Sequence, residues 1–352
     1  MLTPALMCLG MGLAYIGAFH APHVHGLKVA VVGTSSRQQV LAQTIKDRGG
    51  DAVDVTTVPN RAEAERRLLD RDLVGAYVPK VKNPELLVAK ANSDSSATVA
   101  EALFKLVADK QHTPLRVTDL TRLSSGDVTG QGLFFLLVAL SIGSNGFAVA
   151  LSAFSATFRM WTRVALGIGA SLVVSVIGIV LAGPVFNVID HDRIAVWAMA
   201  WLYSAGILTV GLALQFFLKR WGTLAMMVLF VMVNFTSSGG ILQPALQRGF
   251  FGALHSFWNG AGFVEGARSL LYFDSAGFGE RIWSLVIWLA AGLVLAAAAA
   301  AAERRGVAAP GVPAHGNRGV TSSGTSVHPA QHPTGAAGGV VAPAHSAAVT
   351  PR

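Results

Sequence analysis

Charge and cysteine are scarce in this sequence. Only 13% of its 352 residues are Asp, Glu, Lys or Arg, against roughly a quarter in a typical soluble domain. Hydrophobic residues make up 52%, and mean hydropathy is +0.52. So little charge excludes a conventional soluble fold over most of the length and points to membrane-embedded helices. The single Cys8 excludes an intramolecular disulfide and every multi-cysteine zinc or iron–sulfur motif. Neither a Gly-x-Gly-x-x-Gly fingerprint nor a Walker A lysine is present. No Ser/His/Asp or paired-carboxylate arrangement stands out either, so we expect no enzyme, no cofactor and no bound metal.

The apolar residues lie in runs. A helix needs about 20 residues to span the bilayer core, and residues 2–19, 132–158, 164–186, 194–218, 221–235 and 282–302 supply six candidates. The bias of Lys and Arg between loops orients them. With the amino terminus inside, Arg159, Arg163, Lys219, Arg220, Arg304, Arg305, Arg318 and Arg352 face the cytoplasm against Glu303 alone, a net of +7. Residues 21–130 carry only +2, and the remaining outer loops −1. The overall charge of +8 is therefore a topology signal, and we expect no nucleic-acid partner. The first run lacks a basic flank and a small-x-small cleavage site, so it reads as a retained helix, residues 1–20, with further sequence expected upstream. Arginine outnumbers lysine, and Ala, Gly and Val abound, a bias common in GC-rich bacteria.

Between the first and second runs, residues 21–130 read as an inserted extracytoplasmic α/β domain. Strands are expected at 27–33, 51–58, 73–78 and 86–91, and helices at 36–48, 60–72 and 96–110. Asn60 with Glu63 three residues on resembles a capping box. This alternation predicts a small, mostly parallel sheet. His20, His23 and His25 read as an exposed tether. Residues 303–352, with His315, His328, His332 and His345, read as a disordered cytoplasmic tail.

The expected fold class is thus a mainly α-helical polytopic membrane protein with six transmembrane helices and that inserted domain. Residues 131–302 form its five-helix part. Gly167, Ser171 and Ser175 make a small-residue ridge suited to close packing inside the bundle. Residues 239–273 are too broken for a span and too apolar for a loop, so an outer re-entrant hairpin of two short helices is expected. Glu265 and Arg268, three apart, share one helical face and can pair. Gly262 and Gly266 let the same helix approach a neighbour.

The stretches Ser237 to Pro244 (SSGGILQP), Phe250 to His255 (FFGALH) and Gly262 to Phe273 (GFVEGARSLLYF) resemble the segment before the last span in type-2 ABC exporter permeases. The branch with a large first extracytoplasmic loop, which includes the phage-infection-protein-like membrane proteins, is the most similar. This chain has Trp258, Asn259 and Gly260 where family members often carry proline. The resemblance implies a permease in the bacterial plasma membrane that moves an amphiphilic or lipid-like substrate. It implies a separate ATP-binding subunit and a homodimer, or a heterodimer with a second permease. Pro244, Gly262, Glu265, Gly266 and Arg268 then form a candidate gating hairpin. The other reading is a non-transporting membrane protein whose outer domain binds a partner, like the phage-receptor and secretion-accessory relatives. Reporter fusions test the topology: a fusion at Gly50 should report outside and one at Arg305 inside, and equal labelling on both sides rules it out.

Overall fold

Val-rich runs alternate with helical periodicity after Gly26, and in the computed structural model they build a five-stranded sheet. The structure describes residues 2–19, 24–247 and 249–307. His20, His23, Arg248 and the expected tail from 308 onward lie outside the described residues. Strands β1 (Leu27–Val32), β2 (Val53–Val58), β3 (Gly75–Val78), β4 (Glu85–Val88) and β5 (Arg116–Asp119) lie in the order β2-β1-β3-β4-β5. Helices α2 (Ser36–Gly49) and α3 (Arg61–Leu69) make the crossovers that leave β1 parallel to both β2 and β3. Asn60 Oδ1 accepts the Glu63 amide at 2.9 Å, while the Glu63 carboxylate pairs with Arg66, so only half of a capping box forms.

The sheet is mostly parallel, as expected, with one exception: β4 runs antiparallel to β3. Only residues 79–84 separate these strands, and they include Pro79, Asn83 and Pro84. A parallel crossover needs a dozen or more residues, so the chain reverses there, with Asn83 at φ 60°. Helix α4 (Asp94–Lys110) then carries the chain to β5, parallel to β4. The sequence gives no sign of β5, because Arg-Val-Thr-Asp contains no apolar run. One core lies under α2 and α4, with Tyr77 stacked on Phe104 at 5.1 Å. The other gathers Val58, Ala64, Leu68, Leu73 and Leu87 under α3.

In the helical part, four stretches are long and apolar enough to cross a membrane: Gly132–Ala153, Met160–Val185, Arg193–Ser237 and Phe278–Arg305. Helix α1 (Leu2–Phe19) is apolar but shorter. The third stretch is not one rod. Helix α7 (Arg193–Leu218) stops at Lys219, where φ is 48° and ψ −115°. The chain then doubles back through α8 (Gly222–Met227), a π-helical segment (Val228–Val233) and α9 (Asn234–Ser237). Tyr203 and Asn234 meet at 2.5 Å across the two arms. Helix α7 is buried on all sides between Tyr203 and Ala213, packed among α5 (Gly132–Ala153), α6 (Met160–Val180) and α12 (Phe278–Val307). Phe135, Leu172, Val176, Ile177, Ile287 and Val294 remain exposed, which suits a surface solvated by lipid.

Two boundaries move relative to the sequence reading. Helix α6 begins at Met160, so Arg163 lies in its first turn, buried, and not in an open basic loop. Arg163 reaches Glu303 at 3.4 Å, and the Met160 amide donates to the same carboxylate at 2.9 Å. Glu303, Arg304 and Arg305 accordingly belong to α12, which continues to Val307, and not to a tail. The ridge of Gly167, Ser171 and Ser175 faces inward: both serines are buried, and a Cβ on Gly167 would sit 3.2 Å from Leu212.

Glu85, buried at the start of β4, ties this half of the sheet together. It accepts from Arg61 at 2.6 Å, from Thr118 at 2.8 Å and from Lys80 at 2.9 Å. Burial alone would raise its carboxyl, but the hydrogen bonds from Lys80, Arg61 and Thr118 outweigh burial and hold it at about 2. A depressed carboxyl stabilises the fold above its ordinary value of 4.5, and that stabilisation is lost as pH falls from there toward 2. Hydrogen exchange of the β4 and β5 amides should therefore speed up over this window in the native chain and not in Glu85→Gln. At pH 7 the variant should cost about 1–3 kcal/mol.

Candidate site at the buried hairpin

After α9 the chain turns sharply at Gly239 and Gly240, and Pro244 opens a short 3-10 turn (Pro244–Leu246). Helices α10 (Gly249–His255) and α11 (Asn259–Tyr272) follow. Gly262 and Gly266 set the depth of α11. A Cβ on Gly262 would lie 3.1 Å from the Arg281 carbonyl of α12, and one on Gly266 would lie 2.3 Å from Met199 of α7. With no side chain in the way, α11 sinks until Glu265 is 1% and Arg268 3% exposed.

Such burial of charge is tolerable only with close partners. Arg268 Nη1 donates to Glu265 Oε1 at 2.9 Å and to the Gly239 carbonyl at 2.8 Å, while Nη2 donates to the Gly240 carbonyl at 3.2 Å. Gly239 has φ +74°, and a Cβ there would meet His255 at 2.6 Å and Glu265 Oε1 at 2.9 Å. Conformation and space both demand glycine. His255 is held by the Ser237 carbonyl, 2.9 Å from Nδ1.

A third charged residue completes the site from the sheet. Arg71 sits at φ 66° in the turn after α3, which aims its side chain at the hairpin. Nη2 donates to Glu265 Oε2, Nη1 to Ser269 Oγ at 3.0 Å, and Nε to Asn92 Oδ1 at 2.9 Å. The guanidinium lies over the Phe273 ring, 5.2 Å from its centroid. Burial first, then the fields of Arg268 and Arg281, lower it to about 9, so it stays charged at neutral pH. Gln243 Nε2 binds the Asn92 carbonyl at 2.9 Å, and Ser95 Oγ the Ile241 carbonyl at 2.9 Å. Ala245 packs on the sheet core. The sheet layer and the hairpin are thus bolted together around one carboxylate.

Of the residues expected in the hairpin, Glu265 and Arg268 pair, and Gly262 and Gly266 make the close approaches. Pro244 stands apart from the pair, on the wall of a cavity of about 520 Å³ beside it. Sequence reasoning missed Arg71, Asn92 and Gln243. Arg71 lies among Arg66, Arg67, Asp70 and Asp72 and looks like one more solvated charge. Beneath the hairpin, Tyr203 OH joins Ser141 Oγ at 2.6 Å and the Asn234 amide at 2.5 Å, and all three are buried. The cluster contains an acid and bases but no nucleophile held by a base. Its chemistry is electrostatic clamping.

Removing the shared carboxylate should be worse than removing either cation. Glu265→Gln leaves Arg71 and Arg268 buried without an anion and should cost about 3–5 kcal/mol. Arg71→Gln leaves a neutral pair and should cost about 1–3 kcal/mol. Thermal unfolding of the full chain in detergent ranks them, and the reverse order would show that Glu265 is not the hub.

Comparison with protein-family models, with curated proteins and with solved structures finds no match to this chain.

Proposed function

We propose that the protein is the permease subunit of an ABC-type exporter in the bacterial plasma membrane. It crosses the membrane six times with both termini inside, and its sheet layer lies outside. It works as a homodimer, or with a second permease, and moves an amphiphilic or lipid-like substrate with energy from a separate ATPase. The observation that carries this reading is the clamp on Glu265, which links the sheet layer to a hairpin sunk among the helices. Movement of the hairpin is then tied to movement of the outer layer.

The opposite end of the bundle supports it. There Arg163, Glu303, Gln215, Lys219 and Ser155 line a cavity of about 600 Å³ on the face rich in arginine. A projecting segment of an ATPase subunit docks in this cavity and shifts α6 against α12.

A second reading has its own observation. Leu41, Ile45, Leu103, Leu106 and Val107 form an apolar crevice of about 340 Å³ between α2 and α4, and Val40 and Leu106 are largely exposed. That surface favours a partner protein bound by the sheet layer.

Purification from native membranes separates the two. The exporter reading requires a nucleotide-hydrolysing subunit to copurify, and ATP-driven movement of a fluorescent phospholipid across proteoliposomes. Glu265→Gln should slow that movement at least tenfold at equal protein. A chain that copurifies with no ATPase and moves no lipid with ATP is not an exporter subunit.

A further inference from the structure

The wall of the cavity beside the clamp holds a guanidinium that has no partner among the described residues. Its wall is shared by the sheet layer (Lys28, Asp70, Arg71, Asp72, Asn92) and by the hairpin and the start of α12 (Gln243, His255, Glu265, Glu280, Arg281). Most of these charges are already matched. Asp70 is bound by Arg66 at 3.1 Å and Asp72 faces Arg67 at 3.9 Å, while Lys28 lies beside Asp54 in the register of β1 and β2. The clamp is different, because one carboxylate, Glu265, serves two guanidiniums.

Arg281 adds a third. It is partly buried, and among the described residues its guanidinium has neither an ion pair nor a hydrogen bond. It adds to the positive field at both Arg71 and His255. Two further acids answer these cations: Glu280, exposed, acts on Arg281, and Asp127, buried, acts on Arg268. Arg268 Nε is buried and also lacks a partner. A half-buried guanidinium with five free donors on a cavity wall favours an anion, and its planar fork fits a phosphate.

We propose that this cavity is a binding site for a phosphate-bearing anion, with Arg281 as the principal contact and Arg71 beside it. The volume of about 520 Å³ exceeds what a free phosphate needs and matches a headgroup with its glycerol. The cavity also opens where α12 begins, and the next turns of that helix expose Trp283, Val286 and Ile287. An acidic phospholipid anchored at Arg281 lays its chains along that apolar face. Together with the exporter reading, on which the site itself does not depend, this makes acidic phospholipids the substrate class.

Binding is measured without any ATPase or transport, so failure of the site and failure of the exporter reading are separable. Full-length protein in neutral detergent is titrated with short-chain phosphatidylglycerol, with short-chain phosphatidylcholine and with inorganic phosphate, and followed by tryptophan fluorescence and native mass spectrometry. Phosphatidylglycerol should bind at least tenfold tighter than phosphatidylcholine. Arg281→Gln should abolish that preference. Arg281→Lys, which keeps the charge without the fork, should retain part of it, and this second variant keeps the test valid if the first misfolds. Inorganic phosphate as tight as phosphatidylglycerol assigns the site to the free anion, whereas weak, competing phosphate assigns it to the lipid headgroup. Equal affinity for the two lipids, or a preference that survives Arg281→Gln, overturns the proposal.

Discussion

One carboxylate, held by two guanidiniums and almost wholly removed from solvent, fixes how the two halves of this protein meet. Glu265 is 1% exposed, and an isolated ion so placed would lose its charge or unfold its surroundings. Arg268 pairs with it from within α11, and Arg71 does so from the sheet layer. Other donors of the two arginines go to Gly239, Gly240, Ser269 and Asn92, while Arg268 Nε has no partner. The path of the hairpin backbone and the seating of the sheet therefore follow from satisfying a single buried charge.

That arrangement depends on residues with no charge at all. Gly262 and Gly266 bring α11 against α12 and α7, and without that close approach Glu265 would be a surface residue. Gly239 accepts a positive φ while leaving room for His255 and the carboxylate. Packing sets the depth, depth creates the electrostatic demand, and the demand recruits Arg71 from nearly two hundred residues earlier in the chain.

How much of this the sequence discloses follows from the range of each interaction. Strands β1 to β3 and helices α2 to α4 are local patterns, and all are visible as such. The Glu265–Arg268 contact is visible because three residues on a helix are neighbours whatever surrounds them. Strand β5 is hidden because Arg-Val-Thr-Asp takes its extended form from pairing with β4, not from its own apolar content. The reversal at β4 is written in the six-residue connection with its two prolines, which a reading of strand alternation alone passes over. Arg71 is hidden for a stronger reason: its local context matches that of exposed Arg66 and half-exposed Arg67, and only the fold brings Glu265 to it. Arg163 follows the same logic at the other end of the bundle, where its partner Glu303 lies 140 residues away.

The two bonds to Glu265 are not equivalent, and the difference sets which one yields in any rearrangement. Arg268 and Glu265 ride on the same helix turn, so they move together, and Arg268 is also tied to two carbonyls of the preceding turn. Arg71 belongs to the sheet layer and is already 14% exposed, so on separation its guanidinium passes directly into water. What stays behind is a buried pair that is neutral overall. Separation along the Arg71 side leaves no lone buried ion, whereas pulling Arg268 away would strand a cation at the centre of the hairpin. The same asymmetry governs charge reversal. Exchanging Glu265 and Arg268 would set an arginine directly against Arg71, so the exchange restores the pair within α11 and creates repulsion across the layer boundary. Any motion between the sheet layer and the hairpin would therefore break the Arg71 contact first, with the pair in α11 moving together.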